Sequence, residues 1–158
     1  MTGEKQKAFA RRISQANRTE LLVITYDILL EELSEGKSCY LEGETGEGRH
    51  RLKLAQRYLC ELMSTLDYTY PVAHNLLQLY EYVQRILVKS DVSGKDAGIV
   101  NAENVIKGLR KAYAEIAESD TSGPVMENTQ TVFAGLTYGR GSLNETDVNA
   151  GSSRGFLA

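Results

Sequence analysis

A chain of 158 residues, 42% hydrophobic and 25% charged, can bury one self-standing core without disulfide or metal staples. Its formal charge is only −3 at pH 7, no window approaches the ~20 apolar residues of a membrane span, and the charged N-terminus has no apolar stretch behind it. Membrane insertion and secretion are excluded on this reading, and a cytoplasmic protein is expected.

Residues 1–16 form an N-terminal arm. Lys5, Lys7, Arg11 and Arg12, with Arg18 just beyond, outweigh Glu4 there, yet Phe9 is the only aromatic among them and no recognition-helix pattern follows, so nucleic-acid binding is not expected. The first predicted helix opens at Asn17, with Glu20 three residues on as the partner of a capping box. It runs to about residue 40, with Gly36 a weak point near its end. At about 100° per residue, Leu22, Tyr26, Leu29 and Leu33 form one stripe, and Leu21, Ile24 and Ile28 point to roughly the opposite side. A helix apolar on two faces has two things to pack against. One is the core; the other is more core or a partner.

Residues 42–48 hold three glycines and no apolar side chain, the signature of a surface loop. The second predicted helix covers about 49–67, with Leu52, Ala55, Leu59, Leu62, Met63 and Leu66 on one stripe. Pro71 suits the first turn of a third helix reaching about residue 89. Its core face is Val72, Leu76, Leu79, Tyr80, Val83, Ile86 and Leu87. Gly94 turns the chain, Asp96 caps a fourth helix, and Ile99, Ala102, Ile106, Leu109, Tyr113 and Ile116 line its stripe. Short connections favour antiparallel neighbours. The expected fold is all-α: an up-down antiparallel four-helix bundle over 17–118, an extended N-terminal arm, and a long, mostly irregular C-terminal tail over 119–158. That tail is rich in Gly, Asn, Ser and Thr, with apolar islands at 132–138 and 155–158 that either dock on something or are accidental.

Chemistry is not legible. Glu47 and His50 give one Glu-x-x-His at a glycine-rich stretch, and His74 has no carboxylate at the right offset, so a di-iron bundle is not supported. Gly43, Gly46 and Gly48 lack the Lys-Ser/Thr pair of a phosphate loop. Glu31 and Glu32 read as solvated charge, and Cys39 and Cys60 as reduced, partly buried thiols. No catalytic, cofactor or metal site is expected. What the bundle leaves over is apolar surface: Leu21, Ile24 and Ile28 on the first helix, Leu54 on the second, Leu77 and Val88 on the third. Either these fill the corners of a wide core or they meet a partner.

Several segments, in order, resemble one family. Asn17-Arg18-Thr19-Glu20-Leu21 followed by Thr25-Tyr26-Asp27, then Ala55-Gln56, Glu61-Leu62, Thr65-Leu66, the run from Asn75 to Tyr82, Arg85-Ile86-Leu87 and Leu109-Arg110-Lys111-Ala112-Tyr113 are similar to the FliS family of flagellar secretion chaperones. The resemblance spans roughly residues 9–116. Asn17-Arg18 stands where the family commonly has Ser-Pro, and Ile28 where it has Gly. The resemblance implies a chaperone that is monomeric alone, binds the disordered C-terminal segment of flagellin, prevents premature polymerisation and delivers its client to the flagellar export gate. It also implies that the arm lies near the client groove and covers it when empty, through Phe9 and Ile13. The expected client-binding set is therefore Phe9, Ile13, Leu21, Ile24, Ile28, Leu54, Leu77 and Val88. The competing reading is a non-enzymatic helical adaptor that dimerises through the second face of the first helix.

Overall fold

The structure, a computed structural model, describes residues 3–126. They form five helices: α1 (Gly3–Gln15), α2 (Arg18–Leu41), α3 (Thr45–Ser64), α4 (Pro71–Ser93) and α5 (Ile99–Ser119). The all-α expectation holds for these residues, and the apolar islands of the tail lie outside them. The N-terminal segment corrects an expectation, because it is a helix and not an extended arm. Between Glu4 and Gln15 there is no Gly or Pro, most residues are good helix formers, and Phe9 and Ile13, one turn apart, share a face. A helix of 13 residues is marginal alone in water. Its contact with α2 decides the outcome.

The capping box at the start of α2 is present: Asn17 Oδ1 accepts from the Glu20 N–H at 2.8 Å, and the Glu20 carboxylate accepts from the Asn17 N–H at 2.8 Å. α2 packs on α3 and α5, and α4 packs on the same two helices. Asp27 pairs with Arg110 at 2.7 Å and Lys37 with Glu103 at 2.8 Å, so positions rising along α2 meet positions falling along α5.

Gly36 is not a weak point. A Cβ there would stand 3.1 Å from the Leu52 side chain, which marks a close approach of α2 and α3. The loop expected over 42–48 shrinks to a turn before Thr45, and Gly48 supplies the reason. It is buried under the Tyr40 ring, 2.7 Å from where a Cβ would sit. This packing outweighs the roughly 1 kcal/mol that a helical glycine costs. The N-cap of α5 is Gly98 and not the expected Asp96, whose carboxylate lies just ahead of it and accepts from the N–H groups of Gly98 (2.8 Å) and Ile99 (2.7 Å).

The main core is built by α2–α5: Tyr26, Leu29 and Leu33 meet Leu52 and Leu59, Tyr80 and Leu87, and Ile99 and Ile106. At its centre the Tyr26 and Tyr80 hydroxyls hydrogen-bond, with Tyr113 against Tyr26 at 5.7 Å between ring centroids. Burial raises the pKa of both phenols and keeps them protonated. Val72, Leu79 and Ile116, expected in the core, are exposed, and Ala73 is buried instead. Glu32, expected as solvated, is only 3% exposed and faces Arg51 at 3.3 Å. No buried residue of this core comes from α1.

After α5 the chain turns at Asp120. One carboxylate oxygen accepts from the Ser122 hydroxyl (2.6 Å) and N–H (3.0 Å), the other from the Thr19 hydroxyl (2.6 Å). These hydrogen bonds, the Ser122 hydroxyl foremost, lower the pKa from 3.8 to about 2. A depressed carboxylate stabilises the fold above its unfolded value, and that contribution is lost as pH falls through the folded one. Melting temperature should thus decline from near pH 4 toward pH 2, and Asp120→Asn should flatten that limb. Identical acid profiles for parent and variant would count against the coupling.

Candidate apolar client site

Phe9 and Ile13 of α1 lie on a second apolar cluster, separate from the main core. It is formed by Leu21, Ile24 and Ile28 of α2, with Ala16 at the connection and Tyr58 of α3. Ile24 is 4% and Ile28 9% exposed, so the second face of α2 is covered from within the chain. It is this face that a dimerising adaptor would have used. Two ion pairs fasten the edge of α1: Lys5 with Glu31, and Arg12 with Asp27 at 2.7 Å. Arg12 also stands 5.6 Å over the Phe9 ring. Asp27 is shared, since Arg110 holds its other oxygen.

The seat of α1 is weak compared with the main core. Half-buried Phe9 and Ile13 each contribute about 1–2 kcal/mol of apolar burial, exposed ion pairs add little, and ordering the segment opposes both. Removing α1 uncovers Ile24 and Ile28 without taking any buried side chain from the main core. α1 therefore packs over an apolar face of α2 that lies outside the main core.

Beside it opens a cleft of about 660 Å³ between α1, α2 and the ends of α3 and α4. Leu21, Leu22 and Ile28 line one side, and Leu62, Leu66 and Leu76 line the other. Tyr58 and Tyr113 add aromatic surface, Tyr70 and Val72 stand exposed among the lining residues, and Arg18, Glu61 and Asp67 bring charge. Ile13 and Ile28 belong to both the cleft and the seat of α1. The two surfaces are continuous, so a segment displacing α1 would find apolar wall beyond its seat.

Five of the expected residues, Phe9, Ile13, Leu21, Ile24 and Ile28, are thus brought together. Leu54, Leu77 and Val88 are not: the first two are half-buried elsewhere on α3 and α4, and Val88 is 43% exposed. Tyr58, Tyr70 and Tyr113 were not anticipated. Their signal in the sequence was weak, for a tyrosine near a helix end has many uses. Among the described residues no group of three His, Cys, Asp or Glu side chains is placed to hold a metal ion, and no helix is long and apolar enough to cross a membrane. His74 lies edge-on to Tyr68, with ring centroids 5.6 Å apart.

No curated protein matches the chain. The model of the family described as flagellar protein FliS matches residues 1–120, which takes in all five helices, and the chain belongs to that family.

Proposed function

We propose that this protein is a cytoplasmic export chaperone for flagellin. It holds the disordered C-terminal segment of its client on the apolar face of α2 and in the adjoining cleft, prevents premature polymerisation, and delivers the client to the flagellar export gate. In this reading residues 17–118 act as an up-down antiparallel bundle that stays folded throughout, and α1 covers the site of the monomer until the client arrives. The observation that carries it is the covering of Leu21, Ile24 and Ile28 by a short helix outside the main core, beside an apolar cleft. An amphipathic segment that folds as it binds is suited to such a groove.

Calorimetry with a flagellin C-terminal peptide tests this. A one-to-one complex with a clearly negative heat-capacity change is expected, since the interaction buries apolar surface. Steep salt dependence with little heat-capacity change would instead make the basic α1 a polyanion contact. A dimer that ignores the peptide would favour the adaptor.

A further inference from the structure

The apolar cleft is not apolar throughout. Tyr80 of α4, 2% exposed, and half-buried Tyr113 of α5 are both among its lining residues. The Tyr80 hydroxyl is hydrogen-bonded to that of fully buried Tyr26 on α2, and the Tyr113 ring lies against Tyr26 with 5.7 Å between centroids. Burial raises the pKa of all three phenols, so each keeps its proton at neutral pH.

The protons do not balance. Three hydroxyls bring three donors, and the bond between Tyr26 and Tyr80 uses one of them. Among the described residues no acceptor meets the other two. The threonines that line the cleft differ, since Thr25 donates to the Leu21 carbonyl at 2.8 Å and Thr65 to the Leu62 carbonyl at 3.0 Å. An O–H donor withdrawn from water and given no acceptor is costly. The cluster therefore favours whatever brings it an oxygen.

We propose that the Tyr26, Tyr80 and Tyr113 hydroxyls form a recognition point in the cleft for one uncharged side-chain amide, an Asn or Gln, set among the apolar residues of the client helix. This specificity rests on the cleft being the client site. A client that folds as a helix spends its main-chain carbonyls on its own N–H groups, which leaves a side chain to supply the acceptor. A carboxylate is disfavoured, because Glu61 and Asp67 already line the cleft against Arg18 alone among its described cations, and desolvating an ion costs more than desolvating an amide. An amide also answers both halves of a phenol: its carbonyl accepts from the O–H, and its NH2 donates to the oxygen. The contact fixes the client's register. Sliding the helix by one turn leaves amide and phenols unpaired together.

Two measurements test this on the full chain. The first needs no client: with carbon-13 at the tyrosine Cζ atoms, N-methylacetamide should shift the Tyr80 or Tyr113 resonance saturably, while exposed Tyr68 follows bulk solvent. Tyr80 and Tyr113 resonances that both ignore the amide would overturn the recognition point. The second is a cycle with a flagellin C-terminal peptide whose Asn and Gln residues are replaced one at a time by Leu or Met. One replacement should weaken binding to the parent about tenfold, the size of one buried hydrogen bond. In Tyr26→Phe/Tyr80→Phe/Tyr113→Phe, which removes the three hydroxyls and orphans none of them, the same replacement should cost nothing. The peptide series on the parent leaves the protein unaltered, so it decides the matter even where the triple variant does not fold. Equal affinity for every replaced peptide, or the same tenfold loss in the phenylalanine variant, would overturn the recognition point and leave the cleft as the client site. A parent that binds no peptide would overturn the client reading itself, and the N-methylacetamide titration then decides the phenols alone.

Discussion

Ile24→Asp should weaken binding of a flagellin C-terminal peptide at least a hundredfold while leaving the α2–α5 core folded. Ile24 is nearly inaccessible, yet what covers it is the Phe9 and Ile13 face of α1 and not the main core. An ionised carboxylate in that position carries a penalty of several kcal/mol if it stays buried, more than the seat of α1 supplies. The cheaper response is for α1 to lift and let the aspartate reach water. Circular dichroism should then lose no more than the helicity of α1's 13 residues, and the main unfolding transition should persist. The client has no such escape, because its own apolar side chains must lie where the charge now stands. A variant that loses its cooperative transition altogether would assign Ile24 to the core and remove it from the site.

How this site could be read from sequence, and where it could not, follows from the kind of signal each residue carries. The two-faced character of α2 is a matter of periodicity alone, and with the capping box it placed Leu21, Ile24 and Ile28 together on the correct side of a helix that begins at the correct residue. The cover was harder. Residues 3–15 have only Phe9 and Ile13 as large apolar side chains, too few to separate a docked helix from a solvated arm until α2 is present to receive them.

Leu54, Leu77 and Val88 lie apart from the seat and the cleft for the complementary reason. Each lies off its helix's core stripe, and an isolated apolar side chain at the surface is ordinary and needs no partner. Periodicity names the face of a helix; it does not say which off-face residues of different helices come near one another. The cleft is assembled from helix ends, where Tyr58, Leu66, Tyr70 and Val72 meet only after α3 and α4 have been packed. Gly48 shows the same limit in the fold, since the glycine that marks a loop by composition is, in three dimensions, room for Tyr40.

Charge was the least legible of all, and Arg51 should be the costliest single replacement of a charged residue in α2–α5. Glu32 lies one helical turn after Ile28, in a sequence context of neighbouring glutamates that gives no hint of burial. Packing of α3 on α2 nevertheless encloses it, and the same guanidinium that meets it at 3.3 Å also holds Glu35 at 3.0 Å and Glu47 at 2.7 Å. Arg51→Met keeps most of the side chain's apolar bulk and removes the cation, leaving a buried carboxylate without its counterion. The expected loss is about 3 kcal/mol, or roughly 10 °C in melting temperature for a domain of this size. Replacing both partners, as in Glu32→Leu/Arg51→Met, should recover much of that loss, because the penalty belongs to the orphaned charge and not to the absence of an attraction. Urea melts of the parent, the two single variants and the double variant decide the matter. If the double variant is no more stable than Arg51→Met alone, the ion pair contributes through attraction, and Glu32 is held by something more than the arginine that faces it.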